Sequence, residues 1–211
     1  FKDESSHITG SLKHRLARSL YLYALCNGKL HEGQLVIDAS SGSTAISEAW
    51  FAKLLGLQFI AVMPENTTSR KVELLQALGA VCDLVPIDVD ASQHALNRAN
   101  NENACYLNQF GLAERATDWR GNNNIAESIL SQMTKEENPE PSWIVCGAGT
   151  GGTSATIGRY LRYRRLHTQL CVSEPTGGAF AQAWGSRNLT RTQPCKTIIE
   201  GIGRSQIEPG F

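Results

Sequence analysis

Segments with a helical spacing of apolar residues alternate with short, continuously apolar segments along this chain. In residues 11–27, Leu12, Leu16 and Leu20 recur every four positions and Gly28 ends the run, as expected of a helix with one buried face. Short apolar runs bounded by Gly, Pro or Ser predict buried strands. We predict strands at residues 35–39, 59–63, 81–87, 143–146 and 170–173, and further helices at 44–55, 69–78, 92–101, 125–133 and 153–165.

This alternation is typical of an α/β protein with mainly parallel sheets flanked by helices. In such folds, ligands bind at the carboxyl ends of the strands. A polar stretch at residues 111–124 interrupts the pattern, and domain boundaries favour such stretches. We therefore expect two domains, a smaller α/β domain at residues 1–112 and a second at residues 113–211.

The charge balance narrows the class of partner. The chain has 20 Lys plus Arg and 20 Asp plus Glu, so its net charge is zero. It therefore lacks an overall field that would attract nucleic acid or an anionic membrane. No apolar run approaches the roughly 20 residues of a membrane-spanning helix. We expect a small-molecule substrate, with no nucleic-acid or membrane partner.

The cysteines show neither a metal-binding nor a redox spacing. No two of the six are three positions apart, as in a CxxC pair. Most stand beside apolar residues, which favours buried free thiols in a reducing cytosol and hence a cytoplasmic protein without a metal site. The six residues are Cys26, Cys82, Cys105, Cys146, Cys171 and Cys195.

A glycine-rich turn follows the predicted strand at residues 143–146 and opens the next helix. Small residues at this point allow backbone N–H groups to approach an anion, and the helix start adds partial positive charge. Phosphate is the ligand that such a turn fits best, although a tight turn without any ligand has the same residues. The candidate phosphate-binding residues are Gly149, Thr150, Gly151, Gly152 and Thr153.

The same turn also permits a dinucleotide-binding interpretation. Gly147, Gly149 and Gly152 have the GxGxxG spacing, and Glu174 follows the next predicted strand, where an acid would bind ribose in such a fold. GxGxxG alone is weak evidence. On this segment alone, a phosphate cofactor, a dinucleotide and no ligand remain equally open.

A serine-rich turn, Ser40, Ser41, Gly42, Ser43 and Thr44, lies between an earlier predicted strand and helix. Its hydroxyls and successive N–H groups suit a carboxylate, but Ser and Thr are also the usual residues at a helix start. The two roles are compatible.

Lys13 stands at the start of the first predicted helix, in Thr-Gly-Ser-Leu-Lys. A lysine at this position is usually solvated. However, Lys13 adjoins Leu12, and a buried lysine has a lowered pKa and reacts with carbonyl groups.

Taken together, these segments resemble the fold-type II pyridoxal-phosphate enzymes, in the cysteine synthase and cystathionine β-synthase group. That family has TGS-x-K, Ser/Thr-Ser-Gly-Asn-Thr, Gln-Phe, GTGGT and Glu-Gly-Ile-Gly segments, and the chain contains their counterparts in the same order. The matching segments are residues 9–13, 40–44, 109–110, 149–153 and 200–203.

The resemblance implies a role for each segment. Lys13 would be the catalytic residue and would carry pyridoxal 5′-phosphate as a Schiff base, with residues 149–153 binding the phosphate. Ser40, Ser41, Gly42 and Thr44 would bind the substrate carboxylate, with Gln109 and Gly201 near the substrate. Ser43 replaces the family's Asn, which bonds the 3′-oxygen of the cofactor.

The variants Ser-Leu-Lys-His-Arg, Ser-Ser-Gly-Ser-Thr-Ala and Glu-Gly-Ile-Gly-Arg are similar to those of the bacterial L-cysteine desulfhydrase branch. The resemblance implies a homodimeric enzyme for β-elimination or β-replacement on L-cysteine or O-acetyl-L-serine, in which residues 113–211 form part of the larger, phosphate-binding domain. We expect the C-terminal part of that domain to be missing. A serine/threonine dehydratase-like lyase, an NAD-linked oxidoreductase and a non-catalytic, partner-binding relative are the alternatives.

Overall fold

Helices and strands alternate along the protein in the computed structural model, which describes residues 1–186, 199 and 201–211. The elements are α1 (Lys13–Cys26), β1 (Val36–Ala39), α2 (Ser43–Leu54), β2 (Phe59–Pro64), α3 (Ser69–Ala77), β3 (Val81–Val85), α4 (Ala91–Asn101), β4 (Cys105–Tyr106), α5 (Gln109–Ala116), α6 (Ile125–Met133), β5 (Trp143–Gly147), α7 (Gly152–Arg164), β6 (Gln169–Ser173) and α8 (Ala179–Ser186).

The chain divides into two compact units, Phe1–Leu112 and Ala113–Phe211. The first contains a four-stranded sheet in the order β3-β2-β1-β4, and all three pairings are parallel. The second contains β5 and β6, also paired in parallel. The expected α/β class with parallel sheets and flanking helices is therefore confirmed.

Side-chain alternation along β1 separates the two faces of the first sheet. Ile37 and Ala39 join an apolar cluster with Ala95 and Ala99 of α4. Because successive strand residues point to opposite faces, Asp38 faces the other way, toward the side that α2 covers. The buried acid therefore lies at the carboxyl end of β1, just before the serine-rich turn.

The second unit has a core on one side of its two strands. Ile144 packs with Ala126 of α6 and with Ile157 of α7. The neighbouring Trp143 and Val145 are exposed, as alternation requires when only one face is covered.

The sequence pattern identified most elements but missed three. The short strand β4, the helix α5 and the helix α8 were not predicted, and α5 extends into the polar stretch expected at residues 111–124. The third strand, β3, was expected to be buried, yet Val81 and Leu84 are exposed because β3 is an edge strand.

The cysteine prediction was only partly right. The five cysteines that the structure describes are free thiols, but Cys26 and Cys171 are exposed rather than buried. Cys195 lies outside the described residues. Among the described helices, none has the length and apolarity needed to cross a membrane.

Candidate functional site

Lys13 is the first residue of α1, immediately after the turn that contains Gly10. Its backbone N–H donates to the Ser11 hydroxyl at 3.3 Å. Burial of the amine lowers the pKa of Lys13, and the carboxyl of Glu48 opposes this effect. A lysine with a lowered pKa holds a larger fraction of neutral, nucleophilic amine than a solvated lysine.

The serine-rich turn connects β1 to α2, and Ser43, the first residue of the helix, is exposed. Gly42 is the N-cap residue and lacks a side chain to cap with, so the expected Ser or Thr cap is wrong in its simplest form. The Ser40 hydroxyl instead accepts from the N–H groups of Gly42 and Ala45, both at 3.3 Å. The N–H groups of Ser43 and Thr44 have no intrahelical acceptor, as in any first turn.

Gln109 holds the end of β1 that precedes this turn. Its side chain is buried, and Nε2 donates to the carbonyl oxygen of Ala39 at 2.8 Å. Its backbone N–H donates to Oδ2 of Asp38 at 3.1 Å. The structure thus brings Gln109 next to Ser40, as a support for the turn.

A chain of hydrogen bonds joins the lysine segment to α2. The ring Nδ1 of His14 lies 3.1 Å from the Thr9 hydroxyl, and that hydroxyl lies 2.9 Å from Oγ of Ser47. Ser47 in turn donates to the carbonyl oxygen of Ser43 at 3.0 Å. The lysine segment and the serine-rich turn are therefore held together within the first unit.

The glycine-rich loop forms the start of α7 in the second unit. Gly151 is the N-cap residue with a φ of 78°, and the first turn of α7 contains no acidic side chain. The Thr150 hydroxyl accepts from the N–H of Gly152 at 3.3 Å, whereas the N–H groups of Thr153 and Ser154 have no intrahelical acceptor. This donor set fits a phosphate group, because N–H groups and the helix dipole both favour an anion.

Residues 201–203 pack against this loop. The N–H of Gly203 donates to the carbonyl oxygen of Ala148 at 2.9 Å. A Cβ atom added to Gly149 would overlap the carbonyl oxygen of Gly201. The structure therefore brings Gly149 and Gly201 together, while Glu200 of the same motif lies outside the described residues.

Glu174 does not have the environment of a ribose-binding acid. Its Oε1 accepts from the N–H of Phe180 at 3.3 Å, and its Oε2 accepts from the N–H of Ala181. Both donors belong to the first turn of α8, where a carboxylate satisfies N–H groups that lack helical partners. The dinucleotide interpretation therefore loses the residue on which it depended.

Sequence reasoning missed two buried acids near Lys13. Asp38 and Glu48 are both 0% exposed, and burial raises the pKa of each carboxyl. Asp38 stands among apolar residues in Val-Ile-Asp-Ala, and Glu48 lies on the buried side of α2 together with Ala45, Ala49 and Ala52. An acid at a position where the pattern requires an apolar residue was the signal available.

The comparisons with known proteins agree with one another. The family model described as "pyridoxal-phosphate dependent enzyme" matches residues 1–211 of the sequence. It is 58% identical to the L-cysteine desulfhydrase Cds1 of Mycobacterium tuberculosis, covering 100% of this chain and 57% of that protein. It is 31% identical to a cysteine synthase of Dictyostelium discoideum, covering 83% of this chain and 47% of that protein.

A solved structure shows the same fold. The hydrogen sulfide-producing enzyme of Fusobacterium nucleatum superposes with a TM-score of 0.85 at 25% identity, covering 99% of this chain and 61% of that one. The chain thus spans about half to two thirds of the length of these relatives. Because the family match extends over residues 1–211, the chain belongs to the family of pyridoxal-phosphate dependent enzymes.

Proposed function

We propose that the protein catalyses β-elimination from L-cysteine, with β-replacement on O-acetyl-L-serine as the competing reaction. The observation that carries this proposal is Lys13, a partly buried lysine of lowered pKa in the Thr-Gly-Ser-Leu-Lys segment. The 58% identity to an L-cysteine desulfhydrase over the whole chain supports the choice of substrate.

Each segment of the chain has one task under this proposal. Residues 149–153 hold the cofactor phosphate at the start of α7. Ser40, Ser41, Gly42 and Thr44 hold the substrate carboxylate, because the first turn of α2 has N–H groups to donate. When bound, the cofactor supplies the electron sink that makes the α-proton acidic. The Lys13 amine takes that proton. Because burial lowers the pKa of Lys13, a larger fraction of the amine is neutral and able to do so.

Three further residues complete the assignment. Ser43, exposed at the start of α2, would bond the 3′-oxygen of the cofactor and has a shorter side chain than Asn. Gln109 holds the serine-rich turn through Ala39, and Gly201 lies beside Gly149. With the shorter Ser43 side chain, the cofactor ring is held less firmly, and water reaches the reacting centre earlier. We therefore expect β-elimination to compete well with β-replacement.

The proposal extends to the organisation of the protein. The unit Phe1–Leu112 would be the smaller domain, and Ala113–Phe211 would be part of the larger, phosphate-binding domain.

We further propose a homodimer in the cytoplasm, where the five described free thiols would stay reduced. Light scattering after size exclusion measures the mass, and a monomeric mass would contradict the dimer.

The test compares two product assays on the same protein. Sulfide and pyruvate release from L-cysteine is set against cysteine formation from O-acetyl-L-serine plus sulfide. The rate of sulfide and pyruvate release should be at least comparable to the rate of cysteine formation. Ser43→Asn should shift the ratio of these two rates toward cysteine formation. If synthesis dominates by orders of magnitude in both proteins, the desulfhydrase assignment is wrong. Release of ammonia from serine or threonine alone would favour the dehydratase alternative.

Lys13→Ala tests the assignment of the catalytic residue. The variant should lose turnover yet retain weak cofactor binding through residues 149–153. Borohydride reduction of the wild-type protein should fix the cofactor on the peptide that contains Lys13. Lys53, an exposed lysine in α2, serves as the control, and Lys53→Ala should leave both properties unchanged. Labelling of any other lysine would refute the assignment.

A further inference from the structure

The imidazole ring of His14 packs against three other rings. It stacks on the ring of His7, with 5.0 Å between the centroids and an interplanar angle of 20°. The rings of Trp50 and Phe51 in α2 lie 5.2 Å and 4.8 Å from it, centroid to centroid. These contacts hold the ring in one orientation, in which Nδ1 lies 3.1 Å from the Thr9 hydroxyl.

Three hydrogen-bond contacts run in series from this ring to the start of α2. After Nδ1 of His14 and the Thr9 hydroxyl, the Thr9 hydroxyl meets Oγ of Ser47 at 2.9 Å. Oγ of Ser47 then lies 3.0 Å from the carbonyl oxygen of Ser43. Three contacts need three protons, and the two hydroxyl groups supply only one each.

The direction of the series follows from its last acceptor. A carbonyl oxygen cannot donate, so Ser47 spends its one hydroxyl proton on Ser43. The contact between the two hydroxyls then takes the proton of Thr9, since neither oxygen has another. Thr9 therefore accepts from the ring, and Nδ1 of His14 has to carry a proton.

This requirement fixes the tautomer of His14. Burial of the ring, with His7, Arg15 and Arg18 nearby, lowers the pKa of His14, so the ring is neutral at pH 7. A neutral ring has one N–H, and its hydrogen bonds decide which nitrogen carries it. A solvated histidine favours Nε2–H, whereas this series demands Nδ1–H. With the other tautomer, Thr9 would donate to the ring and one of the remaining contacts would lack a proton.

We propose that His14 is a positioning residue, whose Nδ1–H begins a one-way series of hydrogen bonds through Thr9 and Ser47 to the carbonyl oxygen of Ser43. The series ties the segment that contains Lys13 to the first turn of α2. Its effect on substrate binding rests on the proposed function, in which that turn holds the substrate carboxylate. The tautomer of His14 does not depend on the proposed function.

The first experiment determines the tautomer by nuclear magnetic resonance. The protein is labelled with ¹⁵N at histidine, and two-bond ¹H–¹⁵N correlation spectra are recorded at pH 7, where protonated and bare ring nitrogens have well-separated ¹⁵N shifts. The variant His14→Asn identifies the His14 signals by their loss. We expect a protonated Nδ1 and a bare Nε2 at His14. A wild-type spectrum with the Nε2–H tautomer at His14 would overturn the proposal without any variant.

A second spectrum tests whether the series sets the tautomer. Ser47→Ala removes the acceptor of the Thr9 proton, so Thr9 can donate to the ring and the Nε2–H form of His14 should gain population. Ser186→Ala is the matched control, because the Ser186 hydroxyl also donates to a carbonyl oxygen four residues earlier; it should leave the His14 signals unchanged. An unchanged Nδ1–H tautomer in Ser47→Ala would show that the hydroxyls do not set it.

Steady-state kinetics test the positioning role. The KM for L-cysteine should rise roughly three- to tenfold in His14→Leu, the factor expected for one lost hydrogen bond, and kcat should fall by a smaller factor. His14→Asn places an N–H near the position of Nδ1 and should recover most of this loss. His31→Leu, at an exposed histidine, is the control and should leave KM and kcat unchanged.

Two kinetic results would contradict the positioning role. Equal KM values in His14→Leu and His14→Asn would show that ring packing matters and the N–H does not. A loss confined to kcat would place the effect on Lys13 instead of the carboxylate-binding turn. If the wild type released no sulfide from L-cysteine, the proposed function would fail, and the tautomer spectra would still decide whether the series exists.

Discussion

Gly151→Ala tests whether the glycine at the start of α7 is needed for the backbone conformation, for its contacts, or for both. Gly151 has a φ of 78°, and a Cβ atom there would lie 3.1 Å from the carbonyl carbon of Gly210. A left-handed conformation costs a residue with a Cβ atom roughly 1–2 kcal/mol. Displacing a packed backbone by a few tenths of an ångström adds about 1 kcal/mol or more.

Two control glycines separate these contributions. Gly177 has a φ of 88° with no atom within 4 Å of the added Cβ, and Gly121 has a negative φ with similar space. We therefore expect Gly177→Ala to lower the free energy of unfolding by about 1–2 kcal/mol and Gly121→Ala to change it by less than about 0.5 kcal/mol. Gly151→Ala should lower it by about 2–4 kcal/mol.

Urea unfolding followed by circular dichroism measures all three variants, and cofactor titration follows on those that fold. Cofactor affinity should fall in Gly151→Ala and stay unchanged in Gly177→Ala. Equal destabilisation of these two variants would refute the close contact with Gly210. A valine at Gly151 would disturb the fold as well as phosphate binding, so it could not separate the two roles.

The remaining predictions concern stability. Hydrogen bonds from Arg15 and His7 outweigh burial and lower the pKa of Glu4 to about 2. Its stabilisation is therefore complete above the ordinary Glu pKa of about 4.3, and it is lost as pH falls toward 2. Glu4→Gln should lower the free energy of unfolding by about 2 kcal/mol at pH 7. If the wild type and the variant differed by the same amount at pH 3 as at pH 7, this expectation would be contradicted. Asn124 caps α6 by accepting from the N–H of Glu127 at 3.0 Å, so Asn124→Ala should cost about 1–2 kcal/mol. Asn124→Asp keeps an oxygen that accepts at the cap, so it should lose less stability than Asn124→Ala. Thermal unfolding of the two variants measures this difference.

Local patterns predicted the fold because buried strands and amphipathic helices have distinct periods. The helix at residues 125–133 was predicted with the same limits as α6, since Asn124 and the following apolar residues mark its start. In contrast, α5 was missed because Phe110 and Leu112 lie in a mostly polar sequence. Contacts far away in the chain, such as the bond from Gln109 to Ala39, stabilise that helix.

The candidate site was predictable only as far as motifs extend. Lys13 and the two turns were identified from short segments, and their roles remain proposals. The two buried acids, Asp38 and Glu48, were not identified, since they become buried only after β1 and α2 pack together. Glu174 shows the opposite error, because its position fitted a ribose-binding acid while its hydrogen bonds cap α8.

The order of strands in the first sheet has a consequence for how this part of the protein folds. The strands β1, β2 and β3 pair with their neighbours in the chain, whereas β4 must return to β1. The bond between Gln109 and Ala39 closes a loop of 70 residues, and long-range pairings of this kind form late because their loop-closure entropy is lost first. During synthesis, the three-stranded part can form before residue 109 leaves the ribosome. The serine-rich turn would gain its support from Gln109 as one of the last steps, so the conformation that we propose to bind a carboxylate would form only once this unit of the chain is complete.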